Sequence, residues 1–421
     1  MSQIKWQQAK KGIRKHKSDL VILFATLGLM AIGLIMIYAI GPMRANVLNS
    51  TYGLNYGANY FFFRQFLSVL IAVVAFYGVF LWLPYEKISK IAKWIMLLGL
   101  GLAFLMWGLS LIESPLVKCE LGACRWFKFG NISFQLAEML KLGLVLYLAN
   151  LISRKQQEGT VGKDFWLPIA VISFLTLFIV VVLQKDLGTG VVMMMIILGM
   201  LLVSGVSWKQ FSIVLVLVLS LVGLTVGMFP HRMKRLTTFL GGGDADASYH
   251  VDNAMLAIGT GGMFGVGIGN SVQATGYLPE SINDSVFAVM GETFGFAGLM
   301  MIVVVFMVIL LRMLRVAERV GQVNQRLMVV GVFAWMATHV VVNMAAMTGL
   351  VPLTGITLPL LSYGGTSMLF MAMAIGLCLQ ISCYTKREVD DEDISSWRGV
   401  RRSRNSNRRS GANLADRKSV V

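Results

Sequence analysis

Residues 20–42 read LVILFATLGLMAIGLIMIYAIGP, without one charged side chain. A hydrocarbon layer of about 30 Å needs roughly 20 apolar residues at about 1.5 Å rise each, so this run is long enough to cross it as one helix. Working outward from it, further apolar spans fall near 62–84, 91–112, 133–152, 165–184, 187–204, 211–230, 285–311, 327–347 and 363–384. The fold class expected is an all-α integral membrane protein of ten transmembrane helices, with a large external loop between helices 7 and 8. Composition agrees: 56% of the 421 residues are hydrophobic and 14% charged. That balance excludes a water-soluble, disordered or collagen-like chain.

The net charge is +16, and its placement argues against nucleic acid as a partner. Residues 1–19 and 385–421 form basic tails, and 27 of the 37 Lys and Arg lie in the tails and alternate connections. An excess of basic residues on the cytoplasmic side then sets the direction, with both termini inside next to anionic lipid. The organisation expected is a cytoplasmic tail 1–19, a membrane domain 20–384, and a cytoplasmic low-complexity tail 385–421, expected to be disordered. No cleavable leader is expected, because the first apolar run is span-length and no small-residue cleavage site follows.

The external segment 231–284 is too long for a helix-to-helix turn and is the first place to look for function. It holds Gly241–Gly243 and a second series through Gly259, Gly261, Gly262, Gly265, Gly267 and Gly269. These match neither a dinucleotide nor a phosphate-loop pattern. Glycine there permits sharp turns and close backbone packing. The stretch Pro352–Pro359 reads either as a loop or as a re-entrant segment.

Charged groups near an apolar span cost about 2.5–3.5 kcal/mol each on insertion scales, so each needs a partner or a task. Gln135, Glu138 and Lys141 recur every third residue and share one helix face. They line a polar cavity, or Glu138 and Lys141 merely neutralise each other. Asp186, in Gln184-Lys185-Asp186-Leu187-Gly188-Thr189, either caps the next helix or works chemically. The same two readings hold for Asp284, before Ser285-Val286-Phe287, while Glu292 deeper in that helix has no structural role evident from sequence. Histidines 16, 231, 250 and 339 form no metal-spaced cluster. Cys119 and Cys124 leave open a small external disulfide, and Cys378 and Cys383 read as core thiols.

Several of these residues stand in motifs. Gly265-Val266-Gly267-Ile268-Gly269-Asn270-Ser271 is followed by Tyr277-Leu278-Pro279-Glu280, Asp284, Phe287-Ala288-Val289 and Gly291-Glu292. Asn343 precedes Thr348-Gly349-Leu350-Val351-Pro352, Gly355-Ile356-Thr357-Leu358-Pro359 and Ser362-Tyr363-Gly364-Gly365-Thr366-Ser367. With Arg125-Trp126, Gln135, Glu138, Lys141 and Asp186-Leu187-Gly188-Thr189, this set resembles the SEDS family (shape, elongation, division and sporulation) across about residues 20–384. The wording looks more like the division branch than the elongation branch. It departs from the family at Leu136-Ala137, Lys185, Ala274, Ser285 and Thr293.

The resemblance implies an enzyme of the bacterial inner membrane, at the division site, that polymerises lipid II (undecaprenyl-diphosphate-linked disaccharide-peptide) into peptidoglycan. It implies a class B penicillin-binding transpeptidase and other division proteins as partners. The family's essential acid corresponds to Asp284, expected as catalytic general base for an inverting glycosyl transfer. The substrate-binding candidates are Glu280, Arg125, Glu138, Lys141, Asp186, Arg235, Glu292 and Ser362. Lys141, Arg125 or Arg235 would steady the departing diphosphate, with Mg2+ or Mn2+ at Asp284 as an optional bridge. The rivals are a lipid II flippase, an elongation-type polymerase and a non-catalytic scaffold. Acids at the outer surface and no repeat favour the enzyme over a transporter.

Overall fold

Lipid cannot satisfy backbone N–H and C=O groups, so a chain this apolar folds its spans as helices that bond internally. The computed structural model describes residues 17–120, 123–130, 132–159, 163–228, 230–239 and 245–385. Residues 1–16, 386–421 and Gly241–Gly243 lie outside the described residues, and with them nearly all of both tails. The helices in chain order are α1 Leu20–Tyr52, α2 Tyr60–Tyr77, α3 Tyr85–Leu111, α4 Leu136–Gln157, α5 Lys163–Leu177 and α6 Leu187–Val203. Then come α7 Trp208–Met228, α8 Pro230–Phe239, α9 Ala245–Thr260, α10 Val286–Arg319, α11 Val323–Met347 and α12 Gly365–Ser382. A π-helical stretch prolongs α2 through Trp82 and α5 through Leu183.

Among the described residues, nine helices are long and apolar enough to span a membrane. The chain is a multi-pass helical membrane protein. A tenth apolar helix, α6, has 17 residues and sits inside the bundle, where Gly190, Val192, Met193, Ile196 and Met200 are all buried. Depth in the bundle sorts the helices. In α4, α11 and α12 the buried share of the most apolar window is 78, 72 and 78%, against 6% in α7. The interior is therefore built by α4, α6, α11 and α12, with α3 packed on α4, α2 on α12 and α10 on α11.

Three features differ from the sequence expectation. The helical membrane fold carries one addition: between α3 and α4 lies a small antiparallel sheet of β1 Val117–Glu120, β2 Ala123–Phe129 and β3 Ile132–Gln135. It takes the residues expected to open the fourth span, so Gln135 ends β3 and stands at the N-cap of α4 instead of sharing a face with Glu138 and Lys141. Cys119 and Cys124 are paired across β1 and β2 and are disulfide-bonded. The long segment 231–284 contains two helices, α8 and α9.

The third difference is a break in α10. Gly295 leaves the helical conformation with φ 68° and ψ −171°, and the turn after α9 hooks into the gap. Val266 N donates to Glu292 O at 2.9 Å and Gly267 N to Thr293 O at 3.1 Å, while Phe296 N and Ala297 N donate to Gly262 O (2.8 Å) and Met263 O (3.0 Å). The backbones touch: a Cβ at Gly261 would lie 2.0 Å from Gly291 O, and one at Gly265 2.2 Å from Thr293 O. The glycine series thus serves close backbone packing.

Residues 351–364 are non-helical, and 358–362 within them are buried, with Leu358, Leu360 and Leu361 at most 2% exposed. They reach deep into the bundle, since a Cβ at Gly33, midway along α1, would lie 2.8 Å from Leu361 O. Irregular backbone at such depth persists where protein satisfies it. Here His339 Nδ1 pairs with Thr357 O at 3.0 Å, Asn343 Nδ2 donates to Ile356 O at 2.7 Å, and Leu358 N donates to Ser362 Oγ at 2.9 Å.

Candidate functional site

The hairpin after α5 turns at Lys185, whose φ of +53° is a conformation that sharp turns impose. Asp186 then caps α6, accepting from Thr189 N at 3.1 Å and from Thr189 Oγ1 at 3.0 Å. Capping is its observed role, and it leaves a buried negative charge facing β2. Arg125, on β2, answers it: its NH2 group donates to Lys185 O at 2.8 Å, and Nε lies 3.8 Å from Asp186 Oδ2. From the other side α8 brings Arg232, bonded to Val181 O at 2.9 Å, and Arg235, bonded to Leu353 O at 3.0 Å.

These elements enclose a cavity of about 610 Å³ lined by Arg125, Lys185, Arg232 and Arg235, with Val222, Val226, Leu236, Val342 and Val351 on its apolar walls. Burial first, and the nearby Arg125 second, lower the pKa of both Arg232 and Arg235. The cations repel one another in a partly dry space, so an anion entering there relieves a cost already present. An apolar body with clustered cations suits a ligand that joins a hydrocarbon tail to a phosphate head.

Asp284 belongs to the turn before α10. Asn283 N and Ser285 N both donate to Glu280 O, at 2.9 and 3.3 Å, and Tyr363 N donates to Ile282 O at 2.8 Å. Asn343 Nδ2 donates to both Asp284 O and Ile356 O at 2.7 Å, tying this turn to the buried segment. The N-cap of α10 is Ser285, with no side-chain capping bond, so the capping reading of Asp284 does not describe its side chain. The residue is half-buried, and its Oδ1 is enclosed without a hydrogen-bond partner. Burial, aided by the charge of Glu280, raises its pKa to about 7, with the amides of Asp284 and Ser285 and the charge of Arg235 opposing. A Cβ at Gly355 would lie 4.0 Å from Oδ2, and Gly355 itself lines the cavity. Gly355 thus stands beside both the carboxylate and the cationic space.

The other predicted site residues divide. Arg125 and Arg235 line the cavity, and Asp186 braces it. Glu280 is on the same turn as Asp284 but pairs outward, with Arg44 at 3.2 Å and with Asn283. Glu138 and Lys141 form a buried pair at 2.7 Å, the self-neutralising alternative. Lys141, fully enclosed, also meets His339 Nε2 at 3.0 Å and the face of Trp335 at 5.1 Å. With its Nδ1–H given to Thr357 O, the imidazole accepts from the ammonium through Nε2. Glu292 is 2% exposed and holds the turn after the glycine hook, accepting from Ser271 Oγ at 2.5 Å and Val272 N at 2.9 Å. Ser362 closes its own turn. Lys141, Glu138, Glu292 and Ser362 therefore face protein rather than the cavity. Sequence reasoning missed Arg232 and Lys185; the three-residue spacing of Arg232 and Arg235, which puts both on one helix face, was a readable signal.

A family model described as Cell cycle protein, covering FtsW, RodA and SpoVE, matches residues 19–387. The chain belongs to this family. Within the FtsW/RodA/SpoVE family it is 32% identical to stage V sporulation protein E of Bacillus subtilis (strain 168), over 89% of this chain and 99% of that protein. It is 33% identical to the probable peptidoglycan glycosyltransferase FtsW of Hahella chejuensis, over 92% of this chain and 96% of that one. Among solved structures, a chain of a peptidoglycan synthase complex superposes with a TM-score of 0.67 at 22% identity, over 87% of this chain and 97% of that chain. The rod shape determining protein RodA of Thermus thermophilus does so at 0.62 and 22%, over 88 and 98%. Both carry the fold of the FtsW/RodA/SpoVE family.

Proposed function

We propose that this protein is a peptidoglycan glycosyltransferase that polymerises lipid II into glycan strands during cell division. The carrying observation is the enclosed Asp284 carboxylate, beside Gly355 of a cavity whose walls are apolar and whose head is cationic. The relatives named probable peptidoglycan glycosyltransferase FtsW support the reaction type.

In this reading the polyprenyl tail lies along the apolar wall and the diphosphate meets Arg125, Lys185, Arg232 and Arg235. Asp284 takes the proton of the acceptor hydroxyl as its oxygen bonds to the donor anomeric carbon, and the bond to the diphosphate breaks with its electron pair. General-base assistance of this kind contributes about 10² to 10⁴ in rate, and the prearranged guanidinium groups stabilise the departing charge. Among the described residues no three His, Cys, Asp or Glu side chains gather as a metal cage. A bound Mg2+ or Mn2+ would be held by Asp284 and would supply positive charge to the leaving group.

A class B penicillin-binding transpeptidase is the partner this reading carries, with the inner membrane at the septum as the location and both termini cytoplasmic. Purified Asp284→Asn protein is expected to make no strands from lipid II while keeping its fold, read by gel analysis of polymer and by size-exclusion elution. Strands made at the wild-type rate would overturn the assignment. So would movement of lipid II across proteoliposomes with no polymer formed, in favour of a transporter.

A further inference from the structure

His250 lies on α9 and belongs to none of the machinery above. Its Nε2 is 2.7 Å from Ser285 Oγ, and Ser285 Oγ in turn donates to Pro279 O at 2.9 Å. The hydroxyl proton is committed to the carbonyl, so the imidazole Nε2–H must be the donor to Oγ. The chain His250–Ser285–Pro279 spans the two ends of the turn that carries Glu280 and Asp284. The far end of α9 is anchored separately, through the glycine hook into the break of α10.

We propose that His250 is a positioning residue that clasps the Asp284 turn through Ser285. The argument rests on the reading of Asp284 as the base, and on geometry that exists whatever the reaction. Without the imidazole the turn keeps its backbone bonds to Glu280 O and its tie to Asn343, but loses the bond that joins its C-terminal end to α9. A carboxylate meant to meet a hydroxyl within hydrogen-bond reach then wanders, and misplacements of about 1 Å cost up to about 10² in rate. The charged groups facing His250 are Glu280 from the turn and Arg235 from α8. On the packed faces of α10 and α11 the ionisable side chains are engaged elsewhere, Glu292 with Ser271 and His339 with Lys141. Burial lowers the pKa of the imidazole, so it acts as a neutral donor at neutral pH.

Glutamine carries an N–H at the same reach along its side chain as Nε2, which makes His250→Gln the conservative variant. In the full-length protein in detergent or nanodiscs, His250→Ala is expected to lower kcat for lipid II polymerisation by about tenfold or more with KM little changed. His250→Gln is expected to recover most of that loss, and the double variant His250→Ala with Ser285→Ala to be no slower than the slower single variant. Hydrogen exchange of the amides of residues 280–285 is expected to quicken in His250→Ala and not in His250→Gln, a readout that needs no turnover. A wild-type protein that makes no strands would sink the functional reading and leave the exchange result to decide this one. Losses that add in the double variant, or unchanged exchange in His250→Ala, would overturn the clasp.

Discussion

Asp284 carries its consequence in its protonation. A base must be ionised to accept a proton, so with a pKa near 7 the rate of strand synthesis is expected to climb tenfold per pH unit below about 7 and to level off above it, read from kcat against pH. Stability runs the other way. The folded pKa lies above the ordinary carboxylate value near 4, so folding takes up a proton between about pH 4 and about pH 7. Stability is full below that window, declines as pH rises through it and is flat beyond. Asp284→Asn removes the buried charge, and is expected to melt higher than wild type at pH 8 with the difference vanishing near pH 4. At this scale the sequence was partly legible. Asp284 and Arg125 stood out through their motifs, and Arg235 as a candidate cation for the diphosphate. Glu292 and Lys141 stood out as charges in or beside apolar spans and turned inward, because a buried charge is costly whether a ligand or the protein itself satisfies it.

Among the elements, the break in α10 and the turn after α9 are joined by backbone hydrogen bonds. Gly265 combines a φ of +80° with a neighbour that would meet a Cβ at 2.2 Å. Gly265→Ala is therefore expected to cost about 2–4 kcal/mol, seen as a lower melting temperature, with strand synthesis falling alongside because the same turn leads to Asp284. Where elements were misread the physical reason is local. The sheet 117–135 escaped because its outer strands β1 and β3, of four residues each, give too few alternations to register a period of two, and Ile132-Ser133-Phe134 merged with the apolar run of α4. Helix α8 escaped because it is ten residues long, with Met233, Leu236 and Phe239 scattered among His231, Arg232, Lys234 and Arg235. Helix α9 left a usable trace, with Ala254 and Ala257 buried one turn apart.

For the molecule as a whole, hydropathy marked where apolar helices run, nine of them span-length among the described residues and α6 shorter, while the sorting into interior and periphery became plain in the packing. The wording of the helices carries a hint of this sorting, since α4 holds Glu138 and Lys141 and is 78% buried over its most apolar window, while α7 is more apolar and is 6% buried. The excess of basic residues on one set of connections predicts direction: a reporter that works only in the cytoplasm is expected to be active when fused after Val421, and one that works only outside when inserted in the 240–244 stretch. During synthesis, α11 and α12 cannot enter the bilayer as a self-sufficient pair. The connection between them bears the Ser362 carbonyl, whose donor, Gln65 Nε2 at 3.3 Å, was made 297 residues earlier on α2. An unmet carbonyl in lipid costs several kcal/mol. The last-made connection is therefore fully bonded only once it meets α2, and assembly of the bundle is expected to close as a ring rather than proceed as a file.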